Sequence, residues 1–213
     1  MTRALAFALL LGLAAGCASP VVEAHVHEIR PGAWQRLVVT PFQAPVGQSI
    51  DTAAARPEKL DGADAAVQLA RQVSEAFGAA GFDVVPASDL TRAYAALGET
   101  LPLGDAPALA ARAAREFGAT AVLLGSLHRY RAREGGELGA TRPASVGFTL
   151  VVHAAPGGEE LWSARFDHRQ RALSEDVFGA PRYPGGGTRW LSAAELSRWG
   201  AENVARRARE QKR

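Results

Sequence analysis

FGATAVLLGSLHRYR, residues 117–131, contains the strand around which the rest of this 213-residue chain is expected to fold. Val122, Leu123 and Leu124 form an uninterrupted apolar run, and polar residues become frequent after Gly125. A short continuous apolar run of this kind is typical of a buried strand. The sequence therefore predicts a central strand that is buried at 122–124 and becomes more polar towards its end.

Strand and helix patterns precede and follow this central strand. Apolar runs bounded by proline or glycine predict strands, and apolar residues three or four positions apart predict helices. The predicted strands are WQRLVVTPF (34–42), GFDVVPAS (81–88), SVGFTLVVHAA (145–155) and ELWSARFDHRQRAL (160–173), the last two joined by the turn PGGE. Helices are predicted from about residues 64, 88, 105 and 192. The fold class is therefore α+β, a mixed sheet of about four to five strands with helices packed on it.

The predicted core joins strands and helices that are distant in sequence. Four strand residues are expected on neighbouring strands of one sheet: Val38, Val84, Leu123 and Val151. The helical residues expected to cover them are Leu69, Val73, Phe77, Leu109 and Phe117.

The last predicted helix has a well-defined start. Ser192 is followed three residues later by Glu195, a spacing that predicts a reciprocal capping box. Leu196, Trp199 and Val204 then fall on one face at helical spacing and are expected to hold the helix on the domain.

The N-terminal stretch LGLAAGCASP (11–20) contains Cys17, the only cysteine of the chain. The apolar run before it is about a dozen residues long, too short to cross a bilayer, which takes about 20. The stretch therefore predicts a secretory signal. The junction between its small residues and Cys17 resembles the lipobox of bacterial lipoproteins. The resemblance implies cleavage between Gly16 and Cys17 and a diacylglycerol on the Cys17 sulfur. Cleavage after Ala15 or Ala18, which would release a soluble protein, is the alternative.

The lipobox resemblance also implies a location and a division of the chain. The residue after the cysteine is Ala18, not the aspartate that retains lipoproteins at the inner membrane, so we expect the periplasmic face of the outer membrane. Residues 1–16 are then a signal peptide, 17–33 a flexible lipidated tether, and 34–213 a single periplasmic domain. The membrane is a partner through the N-terminal acyl chains.

Four short motifs of the predicted strands are RLVVTPF (36–42), AAGFDVVPASDL (79–90), FGATAVLLGSLHRYR (117–131) and LVVHAAPGGEELWSARF (150–166). They resemble a broad group of bacterial envelope lipoproteins, which includes curli-secretion-type lipoproteins and the lipoprotein activators of penicillin-binding proteins. The resemblance implies a fold and not an activity. Residues 132–145 are too short and too polar to form the membrane-inserting hairpins of the pore-forming members.

Two pairs of polar residues resemble parts of active sites but lack a required partner. Ser126 stands near His128, yet outside the G-x-S-x-G turn that exposes a nucleophilic serine. His25 and His27 have the spacing of two metal ligands on an extended segment, but no third ligand is nearby in the sequence. We therefore expect no metal at these residues.

Two further stretches are more typical of an exposed surface or a linker than of a catalytic or ligand-binding site. Asp167, His168, Glu175 and Asp176 cluster near a strand end, where acids and histidines are usually surface charge. The stretch GGGT, residues 185–188, lacks the lysine of a phosphate-binding loop. We expect no catalytic residues, no cofactor and no enzymatic activity.

The formal net charge of +2 does not predict nucleic-acid binding, which needs a concentrated basic face. One basic cluster ends the chain. Its cations favour a helix C-terminus, and they also suit contact with anionic headgroups or an acidic partner. The residues are Arg206, Arg207, Arg209, Lys212 and Arg213.

The function expected from these features is that of a lipid-anchored periplasmic protein that binds or scaffolds an envelope protein. The alternative is a subunit of an envelope secretion or assembly complex that oligomerises into a ring, and a periplasmic hydrolase is less favoured. The sequence leaves the oligomeric state and the identity of the envelope protein open.

Replacing Cys17 by alanine tests the expected anchor. Cys17→Ala should abolish incorporation of labelled fatty acid and move the protein from the membrane fraction to the soluble fraction, because the acyl chains supply the membrane affinity. Ser19→Ala is the matched control and should stay in the membrane fraction. A Cys17→Ala variant that remains membrane-bound would contradict the prediction.

Overall fold

In the computed structural model, which describes residues 21–28, 34–44, 62–171 and 180–212, four helices pack on a mixed six-stranded sheet. A two-stranded hairpin, β5–β6, forms a separate small sheet. The elements are β1 (Glu23–Val26), β2 (Arg36–Val39), α1 (Gly62–Ala79), β3 (Asp83–Val85), α2 (Ala87–Ala96), α3 (Ala106–Phe117), β4 (Ala121–Arg131), β5 (Glu134–Gly135), β6 (Ala140–Arg142), β7 (Ser145–Ala154), β8 (Glu160–Arg169) and α4 (Ala193–Gln211). The predicted α+β class is confirmed.

The strands of the large sheet lie in the order β1-β8-β7-β4-β2-β3. β2 is parallel to both β3 and β4, and helices connect these strands because parallel neighbours need a crossover. β4, β7, β8 and β1 pair in antiparallel register. The central strand β4 therefore joins a parallel half of the sheet to an antiparallel half.

The strand β1 corrects our expectation for residues 17–33. Instead of a flexible tether throughout, this segment contains an edge strand in which Glu23 lies opposite Arg165 and Val26 opposite Trp162. Val22 is buried and Ala24 packs against the core, whereas Glu23 and His25 are exposed. Apolar and polar residues alternate here, but the run is too short to stand out beside the flanking prolines.

The core lies on both faces of the sheet. On the first face, α1 and α4 cover Leu37, Leu123 and the apolar residues of β7 and β8, and Leu69, Val73 and Phe77 belong to this cluster. On the second face, α2 and α3 cover Val38 and Val122. We call these the α1–α4 face and the α2–α3 face.

The predicted core residues are divided between these two faces. Leu123 contacts the α1–α4 cluster, whereas Val38 and Leu109 are buried in the α2–α3 cluster. Phe117 and Val151 are only partly buried. The predicted core therefore forms two layers, one on each side of the sheet, because adjacent residues of one strand point to opposite faces.

The predicted capping box of α4 is confirmed. The Ser192 side chain accepts a hydrogen bond from the Glu195 backbone N–H at 3.2 Å, and Glu195 Oε2 accepts one from the Ser192 N–H at 2.8 Å. Arg189 donates to both carboxylate oxygens of Glu195, at 2.6 and 3.0 Å. The Arg189 hydrogen bonds, with help from Ser192, lower the pKa of Glu195 to about 2.

The packing of α4 on the sheet also follows the predicted pattern, since Leu196, Trp199 and Val204 are all buried. The helix approaches β8 closely at Gly200, where a Cβ atom would lie 2.8 Å from the Phe166 ring. By contrast, a Cβ at Gly78, in the last turn of α1, would have no other heavy atom within 4 Å.

These two helical glycines give a matched pair of alanine substitutions. Gly78→Ala should raise the free energy of unfolding by up to about 1 kcal/mol, because alanine is the better helix former. Gly200→Ala should instead lower it by about 1–3 kcal/mol, the usual cost of overpacking a core. Chemical denaturation of both variants measures the sign of each change in the free energy of unfolding. A stabilising Gly200→Ala would show that α4 does not lie this close to β8.

Candidate partner-binding surfaces

Half of the α2–α3 face has no helix over it in the described part of the chain. α2 and α3 pack against β2, the start of β4 and the end of β7. Beyond that region, the side chains of this face are polar for the most part and at least partly exposed. We call this region the open face; its residues on β4, β7 and β8 are Ser126, His128, Arg129, Thr149, Val151, Ser163, Arg165, Asp167 and Arg169.

An ion-pair cluster orders the middle of the open face. Asp167 accepts hydrogen bonds from Arg129 and, at 2.7 Å, from Arg165. Arg129 also donates to the Ser145 hydroxyl at 2.5 Å. Partial burial raises the pKa of Asp167, but the hydrogen bonds from Arg129 and then Arg165 outweigh it and hold that pKa below its usual value. The carboxylate stays charged at neutral pH and fixes both guanidinium groups.

His128 lies beside this cluster at a point where the register of β4 and β7 shifts. Its Nε2 lies 2.9 Å from the Thr149 hydroxyl. This contact is with a threonine, whereas a catalytic pair would need a bond from His128 to Ser126. Burial lowers the pKa of His128, and the nearby charge of Arg165 lowers it further, against the opposing effect of Asp167. The ring is therefore neutral at pH 7.

The structure brings together three residue types of a hydrolase triad that we did not predict. His27 Nε2 is 3.0 Å from the Ser163 hydroxyl and 2.9 Å from Glu160 Oε1. A triad places its serine and its acid on different nitrogens of the imidazole, so that the acid holds the tautomer while the other nitrogen accepts the proton. Here both groups meet the same nitrogen, which cannot serve both roles.

The residues of the other candidate sites lie on different faces of the sheet or are hydrogen-bonded to other groups. Asp167 lies on the open face, whereas His168 points to the α1–α4 face and bonds the Tyr183 hydroxyl at 2.5 Å. Thr188 donates to the Gly185 carbonyl at 2.9 Å within a short turn. Within the described residues, no three metal-ligating side chains come together, at His25 and His27 or elsewhere. Residues 175 and 176 lie outside the described ranges.

The C-terminal basic residues do not form one surface. Lys212 donates to the Trp34 carbonyl at 3.1 Å and lies 4.6 Å above the Phe82 ring, so it closes the end of the core. Arg207 pairs with Glu210 at 3.5 Å, and Arg206 donates to the Asn203 side chain. Contact of these residues with an anion stays a prediction, and Arg213 lies outside the described residues.

A groove of about 420 Å³ between α1 and α4 is the second candidate surface. Alanines of α1 line part of it, and the charges around it are mixed. The charged residues are Glu75, Arg198, Glu202, Arg206 and Arg209. Because arginines and glutamates alternate there, the groove has no strong single-sign charge, and we consider the open face the better candidate.

The predicted anchor falls outside the residues that the structure describes. Gly16 and Cys17 belong to residues 1–20, and their cleavage and acylation stay predictions. None of the helices in the described ranges is both long enough and apolar enough to cross a membrane.

Comparisons with known proteins give structural similarities only. No protein-family model matches the chain, and no curated protein sequence does. The chain is similar to the PelC dodecamer from Paraburkholderia phytofirmans, with a TM-score of 0.49 and 15% identity over 87% of this chain and 94% of that one.

Two smaller proteins are also similar in structure. Lipoprotein GNA1162 from Neisseria meningitidis matches with a TM-score of 0.43 and 19% identity, over 63% of this chain and 82% of that one. The LpoB C-terminal domain from Salmonella enterica matches with a TM-score of 0.41 and 21% identity, over 64% of this chain and 84% of that one.

Substitutions in the ion-pair cluster should shift the pKa of His128 in opposite directions. Arg165→Gln removes a nearby positive charge and should raise that pKa, whereas Asp167→Asn removes a negative charge and should lower it. Titration of the His128 ring by NMR measures both shifts. Arg36→Gln, which removes the partner of Asp83 at the other side of the sheet, is the control and should have no effect. Shifts of the same sign would contradict this geometry.

Proposed function

We propose that this chain is a lipid-anchored periplasmic domain that binds a protein of the bacterial envelope through its open face. The open face is the observation that carries the proposal. It is an ordered polar surface of a sheet, and Asp167 holds Arg129 and Arg165 in place on it before any partner arrives. Preorganised side chains lower the entropic cost of binding.

The charge of the open face favours a partner with acidic side chains. Arg129 and Arg165 both bond Asp167, and one carboxylate neutralises only one of the two guanidinium charges. The side chain of Arg165 is 53% exposed and makes one hydrogen bond to Asp167, so further donors remain for a second carboxylate. Arginine pairs with carboxylates in a fixed bidentate geometry, which gives specificity as well as affinity.

An acyl anchor on Cys17 fits the same proposal. Anchoring confines the domain to one membrane face, and the resulting local concentration strengthens binding to a partner held in the same envelope. A binding role needs no nucleophile or cofactor, and the His27, Ser163 and Glu160 group described above does not have the geometry of a triad.

Photo-crosslinking in the native envelope tests the proposal. A photoreactive residue at His25, which is exposed on the open face opposite Ser163, should form an adduct with an envelope protein. The same probe at Val67, which is 69% exposed on α1, should not form that adduct. Equal adducts at both positions, or no adduct at His25, would contradict the proposal.

Charge reversal makes this experiment specific to the arginine cluster. Arg165→Glu should reduce the adduct from His25 about tenfold or more, because a like charge then faces an acidic partner. Arg71→Glu, at a residue of α1 that pairs with Glu75, is the matched control and should leave the adduct unchanged. An adduct that consists of two copies of this chain would favour the ring-forming alternative.

A further inference from the structure

The strand β1 brings the core of the domain close to the expected acylation site. Val22 is buried against the core and β1 begins at Glu23, so five residue steps separate the core from Cys17. Five residues span at most about 18 Å even when fully extended. If Cys17 is acylated, this short link therefore keeps the domain against the membrane surface, with no long tether between them.

Strand register identifies the end of the domain that is nearest to this attachment. β1 runs antiparallel to β8 with Glu23 opposite Arg165, so the chain before Glu23 lies towards the C-terminal end of β8. At that end Arg169 pairs with Ser145, and Ser145 pairs with Arg131 of β4. The β5–β6 hairpin connects β4 to β7 there. We call this the anchor end.

The opposite end of the sheet carries other features. The turn between β7 and β8, residues 155–159, lies there, and so does the end of α4, because Trp162 Nε1 donates to Gln211 Oε1 at 2.7 Å. The described basic residues that we considered for anionic contact are therefore at the end of the sheet away from the anchor; they are Arg206, Arg207, Arg209 and Lys212.

The anchor end carries an exposed apolar tip with arginines near it. Leu138, between β5 and β6, is 92% exposed. The tip is held in place, because the Trp190 N–H donates to the Glu137 carbonyl at 2.8 Å and Arg133 donates to the Trp190 carbonyl. Arg169 and Arg171 are exposed at the end of β8. A rigid apolar tip beside arginines suits the boundary between headgroups and acyl chains.

We propose that the anchor end docks on the anionic phospholipid surface that holds the acyl chains, with Leu138 entering the headgroup layer and Arg169 and Arg171 contacting phosphates. This inference rests on the proposed acylation of Cys17. Apart from Arg169, which lies at the anchor end, it leaves the open face free for a protein partner, because that face is roughly perpendicular to the end of the sheet.

A fluorophore at the hairpin tip tests this docking in the full acylated chain. Leu138→Cys introduces a thiol that an environment-sensitive dye labels, because acylation blocks the only native cysteine. In phosphatidylcholine vesicles containing phosphatidylglycerol, a quencher attached to the lipid headgroup region should quench this dye at least about twofold more than a dye at Glu159→Cys. Glu159 is exposed in the turn at the opposite end.

Two controls separate the docking from the anchor itself. The unsubstituted chain should take up no dye, and labelling of Cys17 would show that the acylation, and with it the proposed anchor, fails. In acylated protein, equal quenching at positions 138 and 159 would overturn the docking and leave the anchor intact. Arg169→Gln with Arg171→Gln should weaken quenching at position 138, and an unchanged signal would overturn the role of these arginines.

Discussion

The rest of the structure depends on the two different neighbours of β4. On one side β2 is parallel to β4, and helices return the chain over both faces, so Val122 and Leu123 are buried on opposite faces. On the other side β7 and β8 follow as antiparallel strands joined by a turn, and in the described part of the chain no helix covers their second face. Among the described residues, helices therefore cover both faces of the parallel half of the sheet and only one face of the antiparallel half.

This asymmetry gives each part of the surface a distinct chemistry. The covered face of β7 and β8 carries Phe148, Trp162 and Phe166, whereas the open face carries the Arg129–Asp167–Arg165 cluster. In the edge strand β1, residues 21 and 22 lie towards the end of the sheet that carries the β5–β6 hairpin. Taken together, these features support our proposals that the domain lies on a membrane by one end of its sheet and binds a protein through one sheet face.

Local sequence patterns predicted the individual helices and strands, but they did not predict which distant strands pair. The apolar run at 122–124 and the spacing of Ser192 and Glu195 depend on neighbouring residues. The capping box and the burial of Val122 and Leu123 are confirmed, whereas Leu124 is only partly buried. The Arg129–Asp167 contact joins β4 to β8 across β7, and no local pattern in the sequence predicts that strand order. The strand β1 was missed because four residues alternate too briefly to predict a strand.

Residues 22–28 belong to the folded domain, so acylation of Cys17 would leave only a short link to the membrane. Hydrogen exchange of the backbone amides of residues 23–27, followed by NMR, tests this most directly. An edge strand pairs only alternate N–H groups with its neighbour, so the amides that donate to β8, among them the His27 N–H bonded to the Leu161 carbonyl at 2.9 Å, should exchange at least about tenfold more slowly than in an unstructured chain. Exchange at the unstructured rate throughout these residues would show a free tether and contradict the account.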